Sequence, residues 1–520
     1  MGRGKFVYTL MAGGLIAGSA MANANKPEAK RNILFIAVDD LKPTLGCYGD
    51  AKAITPNIDR LAEAGMVFLN SHCQQAVCGP SRASLMTGLR PDRTRVWDLK
   101  TKIRKANPDA LTLPEYFRSQ GFTTAGTGKI YDSRSVDKKV DEPSWSVPYR
   151  KEWELPTPSG VVKPVLGAYQ SEAARSLAKE AKVAGITGYG PVRKYFVEND
   201  AWLAVESEDV PDNFYTDGLI ADYGLHLMKK LKSEGRPFFL AVGFKKPHLP
   251  FVAPKKYWDL YERDEFEIHP FQQKSKDGVD FAYHDSGELR SYIGAGEFNS
   301  YKEGQEMPAD KQQMLMHGYY ACVSFIDAQV GKLMDELKAQ GLADNTAIVL
   351  WGDHGWHLGD HGLWCKHSNF EQATRAPLIF SAAGFAQGAQ TDAPVEFVDI
   401  FPTLCELGGV PVPENLDGQS LVPVLKDASV SIKPFAVSQW PRGQTMGYAI
   451  RDTRYRFVEW AKNHKGIEPY SDEQVVGIEL YDYSKDPLET VNLAKHPEYQ
   501  EVVEKMTGQL REFLEKQSEK

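Results

Sequence analysis

Cysteine is sparse in this chain. Its 520 residues include six, Cys47, Cys73, Cys78, Cys322, Cys365 and Cys405, with no repeated CxxC and no dense spacing. That excludes a disulfide framework, although Cys73 and Cys78 are close enough in sequence to pair. A strong charge of one sign is also missing: 61 basic against 69 acidic residues leave a formal net charge of −8. This argues against a general nucleic-acid binder and leaves room for a local basic pocket holding an anionic substrate. There is no internal repeat, no low-complexity tract and no HExxH helix. Beyond the first two dozen residues, no apolar run is long enough to span a bilayer.

What is present is an ordinary globular composition, 42% apolar and 25% charged. The length suits one large domain and a smaller one. The first 24 residues read as an export signal: basic MGRGK, apolar FVYTLMAGGLIAGSA, then the small-residue ANA at Ala22–Ala24. A cleaved leader implies a periplasmic or secreted protein starting near Asn25, with no membrane attachment after cleavage and no nucleic-acid partner.

Four apolar runs read as buried strands, and each delivers polar groups just past its C-terminal end. NILFIAV (Asn32–Val38) ends in Asp39 and Asp40. FTTAGTGK (Phe122–Lys129) ends in Lys129, and PFFLAVGF (Pro237–Phe244) leads to His248. TAIVLWGDHG (Thr346–Gly355) carries Asp353 and His354. Helix-like stretches alternate with them, over Asn57–Ala64, Leu111–Ser119, Thr216–Lys232 and Met314–Ala339. The pattern predicts an α/β fold: a large, mixed but mostly parallel sheet flanked by helices. In such sheets ligands collect at the carboxyl ends of strands. From about Lys433 the periodicity changes to alternation, in GYAIRDTRYRFVEW and IELYDYSKD, and then to an amphipathic run, Glu498–Gln517. A catalytic domain over 25–430 and a smaller C-terminal antiparallel-sheet-plus-helix subdomain over 431–520 are expected.

Asp39, Asp40 and Asp353 converging in a dry place would repel unless a cation neutralised them. Oxygen donors suit Ca²⁺ or Mg²⁺, with His354 the softer member. Asp-Asp after a strand also serves as a turn or helix cap. Arg82, Lys129, His248 and Lys366 flank the same strand ends, and fixed cations beside a metal suit sulfate or phosphate. DHGWHLGDHGLWCKH (Asp353–His367) is rich enough in histidine to make zinc the second choice of metal. Its glycines mark it as a loop. Cys78 precedes a short helix predicted over Ser81–Thr87, with Pro80 in the first turn and Gly88 as the stop. A helix N-terminus favours a thiolate nucleophile. A thiolate beside a hard, oxygen-liganded cation is a poor match, and residue chemistry alone leaves that contradiction open.

CGPSR (Cys78–Arg82), continued by ASLMTGLRP, resembles the C-x-P-S-R signature of the type I, formylglycine-dependent sulfatases of the alkaline phosphatase superfamily. DDLKPTLGCYGD, TPNIDRLA, FFLAVGFKKPHLPF, WGDHGWHLGDHGLWCKHSNFEQATRAPLI and GYAIRDTRYRFVEW are similar to its iduronate-2-sulfatase-like branch, as is Asp353-His354 where many sulfatases have Asp-Asn. The resemblance runs over nearly the whole mature chain. It implies that a maturation enzyme, formylglycine-generating or anaerobic, converts Cys78 to formylglycine. The metal would then meet oxygen rather than sulfur. It also implies one Ca²⁺ held by Asp39, Asp40, Asp353, His354 and modified Cys78. By the same resemblance Arg82 holds the formylglycine hydrate, Lys129 and Lys366 bind sulfate, and His248 protonates the leaving alcohol. One hydroxyl of the hydrate attacks sulfur; loss of the proton from the second expels sulfate and restores the aldehyde.

One departure stands out. Where the family has GKxxH this chain has GKIYD, with Asp132 in place of the histidine that helps regenerate the aldehyde. The implied substrate is a sulfated oligosaccharide or polysaccharide, a glycosaminoglycan or an algal glycan such as carrageenan or ulvan. Trp97, Lys102, His357, Trp364, Trp440 and Arg442 are candidates for stacking on the sugar or binding its charge. Two other readings compete: a phosphomonoesterase or phosphodiesterase of the same superfamily, and a glycan-binding relic without catalysis.

Overall fold

A computed structural model describes residues 1, 2, 4, 30–292, 307–462 and 470–519. The expected leader, from residue 5 onward, lies outside them. Asn32–Val38 forms β1, with every residue buried. Burial on both faces requires apolar side chains at consecutive positions, which is why the run does not alternate. Six more strands complete its sheet: β2 (Met66–Phe68), β3 (Thr123–Gly128), β4 (Phe238–Phe244), β5 (Thr346–Gly352), β6 (Leu378–Ser381) and β7 (Ala389–Thr391). The order across the sheet is β7-β2-β6-β5-β1-β4-β3.

β1 runs parallel to β4 and β5, and β3 parallel to β4. β6 runs against both of its neighbours. The chain leaves β5 through residues 353–377, which carry a short strand pair and a single turn of helix rather than a crossover helix, and β6 returns antiparallel. The fold is therefore α/β, with a mixed and mostly parallel sheet.

Register decides what the sheet can do. Val38 lies level with Phe244 and with Gly352, and Gly128 lies level with Gly243. The residues that follow β1, β3, β4 and β5 therefore leave the sheet along one edge. Glycine is required where β3 turns out. Gly128 has φ +78, and a Cβ there would stand 2.0 Å from the Gly243 carbonyl oxygen. This close approach lets the chain bend sharply into Lys129.

Leu34, Ile36 and Val38 pack on one face of the sheet, in a core shared with the helices Thr216–Glu234 and Ala309–Ala339. Ile33, Phe35 and Ala37 pack on the other, with the helices Cys78–Thr87, Leu113–Ser119 and Ile400–Leu407. Each fully buried Leu, Ile or Phe contributes roughly 1.5–3 kcal/mol, so the two-faced core fixes the strands far more firmly than their hydrogen bonds alone. Among the described residues no helix is long and apolar enough to cross a membrane.

A second sheet is antiparallel throughout: β8 (Ala436–Arg442), β9 (Thr445–Arg451), β10 (Tyr455–Lys462) and β11 (Val475–Asp482). The terminal helix Gln500–Ser518 lays Met506, Leu510 and Leu514 into the core beneath it.

Two differences from expectation are local. The helix expected from Ser81 starts at Cys78, because the Val77 carbonyl already accepts the Ser81 N–H at 3.1 Å. The helices Glu172–Val183 and Tyr189–Glu198 were not anticipated.

Candidate active site

The strand ends meet. Asp40 sits in the left-handed region at φ 60, unusual for a residue with a side chain. Two contacts hold it there. Its N–H donates to Asp353 Oδ1 at 2.9 Å, and its carbonyl accepts the Tyr319 hydroxyl at 2.7 Å. Cys78 opens its helix among these carboxylates, with Sγ 3.8 Å from Asp40 Oδ1, 3.4 Å from His354 Nε2 and 3.4 Å from Lys129 Nζ. Its side chain is buried, and Cys73 and Cys78 are both free thiols, so the pairing considered from sequence does not form.

Arg82 is the keystone of the cluster. Its Nε donates to Asp353 Oδ2 at 2.9 Å and its Nη2 to Asp39 Oδ1 at 3.0 Å. Its Nη1 donates to the Lys129 carbonyl and, at 3.0 Å, to the Ile130 carbonyl. One planar guanidinium thus ties together the ends of β1, β3 and β5, which a lysine could not do. Lys129 Nζ also bonds Asp39. Lys366 donates to Asp40 Oδ2 at 2.8 Å and Oδ1 at 3.1 Å. It is aimed by a loop whose flanking residues, Cys365 and His367, both have positive φ. His248 Nδ1 donates to the Leu249 carbonyl at 2.6 Å, which turns Nε2 toward the cluster.

The electrostatics follow from burial. Burial works against the charge on Asp39, but Lys129 and Arg82 outweigh it and hold the carboxyl well below its usual range. Asp40 is pushed well above its range by burial, with Asp39, Glu288 and Asp353 adding and Lys366 opposing. Burial also raises the Cys78 thiol, and Asp39 adds to it. Cys78 as encoded is therefore a thiol and not a thiolate, and the carboxylates defeat the helix N-terminus here. Burial and then Lys366 lower His248.

Two overlapping groups in the described residues have ligand atoms within 4.8 Å of one another: Asp39, Asp40, Cys78 and His248, and Asp40, Cys78, Asp353 and His354. His354 Nδ1 faces the Gly355 carbonyl at 3.0 Å, so that nitrogen carries the hydrogen and Nε2 turns its lone pair inward. Buried carboxylates crowded this closely are a donor set suited to a cation. Oxygen donors with a single imidazole fit a hard divalent ion, and Ca²⁺ or Mg²⁺ suits them better than zinc. The histidines of the Asp353–His367 loop do not gather into a zinc site. His357 is bonded to Asp360 and, at 2.8 Å, to Ser368. His361 stacks on Phe370 with centroids 4.4 Å apart, and His367 lies beside Trp440 at 5.5 Å.

The sugar candidates divide. Trp440 and Arg442 border the Lys366 loop, with Arg442 Nη2 donating to the His367 carbonyl. His357, Trp364 and Trp440 are buried, at 0%, 2% and 7% exposed, and His357 has both ring nitrogens engaged within the loop. Trp97 is anchored to Asp92 at 2.8 Å, and Lys102 pairs with Asp137 at 3.0 Å near the surface. Asp132 is enclosed, and Arg134 bonds its two oxygens at 2.9 and 2.7 Å, so its carboxylate is committed to an ion pair.

Sequence reasoning missed Glu288, whose carboxylate lies 3.1 Å from His248 Nε2 and 3.0 Å from Lys366 Nζ. Nothing in DSGELRS (Asp285–Ser291) marks it as chemical.

A family model described as Sulfatase matches residues 31–410. The chain belongs to the sulfatase family. A second model, for the C-terminal region of N-sulphoglucosamine sulphohydrolase, matches residues 359–516 of this sulfatase. The iduronate 2-sulfatase of Mus musculus is 31% identical to it over 554 residues, covering 94% of this chain and 95% of that one. A structure solved in complex with its substrate D-glucosamine-2-N,6-O-disulfate superposes with a TM-score of 0.71 at 21% identity, covering 94% of this sulfatase and 98% of that chain. The phosphonate monoester hydrolase of Agrobacterium radiobacter superposes at 0.70 and 21% identity, covering 94% and 96%. At that identity the likeness is one of fold.

Proposed function

We propose that this sulfatase hydrolyses sulfate esters on a sulfated sugar through formylglycine derived from Cys78, with Ca²⁺ held by Asp39, Asp40, Asp353, His354 and the modified residue. The observation that carries the reading is the position of Cys78, buried among five metal-capable groups, Asp39, Asp40, His248, Asp353 and His354, with Lys129 Nζ 3.4 Å from its sulfur. When bound and matured, formylglycine supplies a geminal diol as nucleophile and the cation supplies counter-charge for it and for the sulfate.

The rest belongs to the chain. Arg82 fixes Asp39 and Asp353, so the carboxylates are set before a ligand arrives. Lys129 and Lys366 hold the sulfate oxygens by charge-assisted bonds. His248, anchored through Nδ1, presents Nε2 to the leaving oxygen, and in its imidazolium form hands that oxygen a proton. Trp440 and Arg442, which border the Lys366 loop, are kept as the candidates for contact with the sugar.

Glycosaminoglycans are favoured as substrates by the likeness to an iduronate 2-sulfatase and to a protein bound to a disulfated glucosamine. Algal sulfated glycans such as carrageenan or ulvan share the same recognisable group. Export through the N-terminal leader places such an enzyme in the periplasm or outside the cell, where these polymers are met. The superfamily also holds a phosphonate monoester hydrolase, so phosphoester cleavage is the competing reaction.

The test is release of sulfate from defined sulfated oligosaccharides, run beside an aryl sulfate and an aryl phosphate. Mass spectrometry of the Cys78 peptide confirms maturation. Sulfate release by the matured enzyme, and none by Cys78→Ala, is expected. Faster turnover of the phosphate, or an active Cys78→Ala, would overturn the reading.

A further inference from the structure

Glu288 comes from a segment that no motif marks, yet it faces the two groups given above to the substrate. Its Oε1 stands 3.1 Å from His248 Nε2 and 3.2 Å from Lys366 Nζ, and its Oε2 is 3.0 Å from the same ammonium. Burial opposes its charge, but Lys366 and then His248 outweigh it and bring the carboxyl down to about 2.

We propose that Glu288 is an internal anion seated on the sulfate-facing donors of the substrate-free enzyme, and that an incoming sulfate displaces it. The inference rests on the sulfate-ester reading of the site.

Three observations carry it. A single carboxylate already bonds Lys366, the donor meant for a peripheral oxygen of the ester, and stands 3.1 Å from His248 Nε2, the atom meant for its leaving oxygen. Lys366 is also bonded to Asp40 at 2.8 and 3.1 Å, so a sulfate added beside Glu288 would crowd a third acceptor group onto one ammonium. The exit is local. The Glu288 side chain is 21% exposed whereas that of Lys366 is 2% exposed, and the next residue, Leu289, is buried at 2% and pins the backbone. Rotation of one side chain toward solvent frees the seat with no movement of the loop. The opposite role, a prop that holds Lys366 and His248 in place for sulfate, predicts the opposite sign.

Glu288→Gln keeps the shape and removes the charge. The experiment titrates inorganic sulfate and, separately, inorganic phosphate into matured, calcium-loaded wild type and Glu288→Gln by calorimetry, with Glu288→Ala as a second variant. Removing one like charge from a partly screened seat is expected to tighten oxyanion binding about tenfold. The KM for a sulfate ester is expected to fall by a similar factor, with kcat changed less. Unchanged, weaker or undetectable oxyanion binding in both variants overturns the proposal. A seat that prefers phosphate in every form, and still tightens in the variants, overturns the sulfate-ester reading and supports Glu288, so the two failures are told apart.

Discussion

Arg82→Lys tests whether one guanidinium holds the strand ends together. The side chain is 1% exposed and donates to two carboxylates and two carbonyls. Lysine keeps the charge, but its single ammonium does not reach Asp39 and Asp353 together. Each charge-assisted bond is worth about 1.5–3 kcal/mol net, and breaking a buried pair costs about 3–5 kcal/mol. Asp39 retains Lys129 and Asp353 retains the Asp40 N–H, so the loss belongs at the lower end of that range, about 3 kcal/mol. The assay is urea unfolding of both proteins in EDTA, followed by tryptophan emission, since Arg82 lies over the Trp351 ring at 5.5 Å. Calcium at a hundred times its dissociation constant then adds about 2.7 kcal/mol to the wild type. The same concentration is expected to add less to Arg82→Lys, whose carboxylates are no longer pre-set. A variant within about 1 kcal/mol of wild type in EDTA, with the same gain from calcium, would falsify the account of Arg82 as the clamp, because a broken buried pair costs several times that.

Two further outcomes are expected. His248→Ala lowers kcat about 10²–10⁴-fold on sulfate esters of ordinary alcohols and far less on aryl sulfates, whose leaving oxygen needs no proton; an equal loss on both removes His248 as the acid. Asp217, 1% exposed, has its pKa raised from 3.8 to about 6 by burial, with Lys246 and Lys245 opposing. The folded state therefore holds that proton more tightly than the unfolded chain, and stability falls as pH rises from about 4 to 6. Asp217→Asn removes this penalty, so its stability relative to wild type grows over that interval, by roughly 3 kcal/mol at most, and is flat above it. Denaturation curves at pH 4.5 and 7.5 that differ by the same amount for the two proteins contradict the assignment.

The strands and their polar endings were legible because burial on both faces leaves an unbroken apolar signal, and β1 came out residue for residue. The antiparallel turn into β6 was not, since LIFS reads equally well in either direction. The carboxylates, Arg82 and the two lysines were legible because they follow strands or lie inside a specific motif. Glu288 lacked any such frame: an acid in an irregular segment carries no periodic or spacing signal, and only folding sets it against Lys366. His357 and Trp364 are buried inside the loop instead. Histidine and tryptophan in a glycine-rich loop look like ligand contacts, but a loop that must hold Lys366 still needs side chains to pack inside it. The charged helices near residues 172–198 lacked a wide apolar stripe, having few buried positions to fill.

The C-terminal hairpin has a consequence for biosynthesis. Asn369 donates to the Gly447 carbonyl, and Arg442 donates to the carbonyls of Phe281, Ala282 and His367. A nascent chain that has emerged only as far as β7 already contains Asp39, Asp40, Cys78, Arg82, Lys129, His248, Asp353 and Lys366. It still lacks the bonds that pin the Lys366 loop. A chain made only as far as β7 thus holds the residues of the cluster before the hairpin bonds that help fix the Lys366 loop exist.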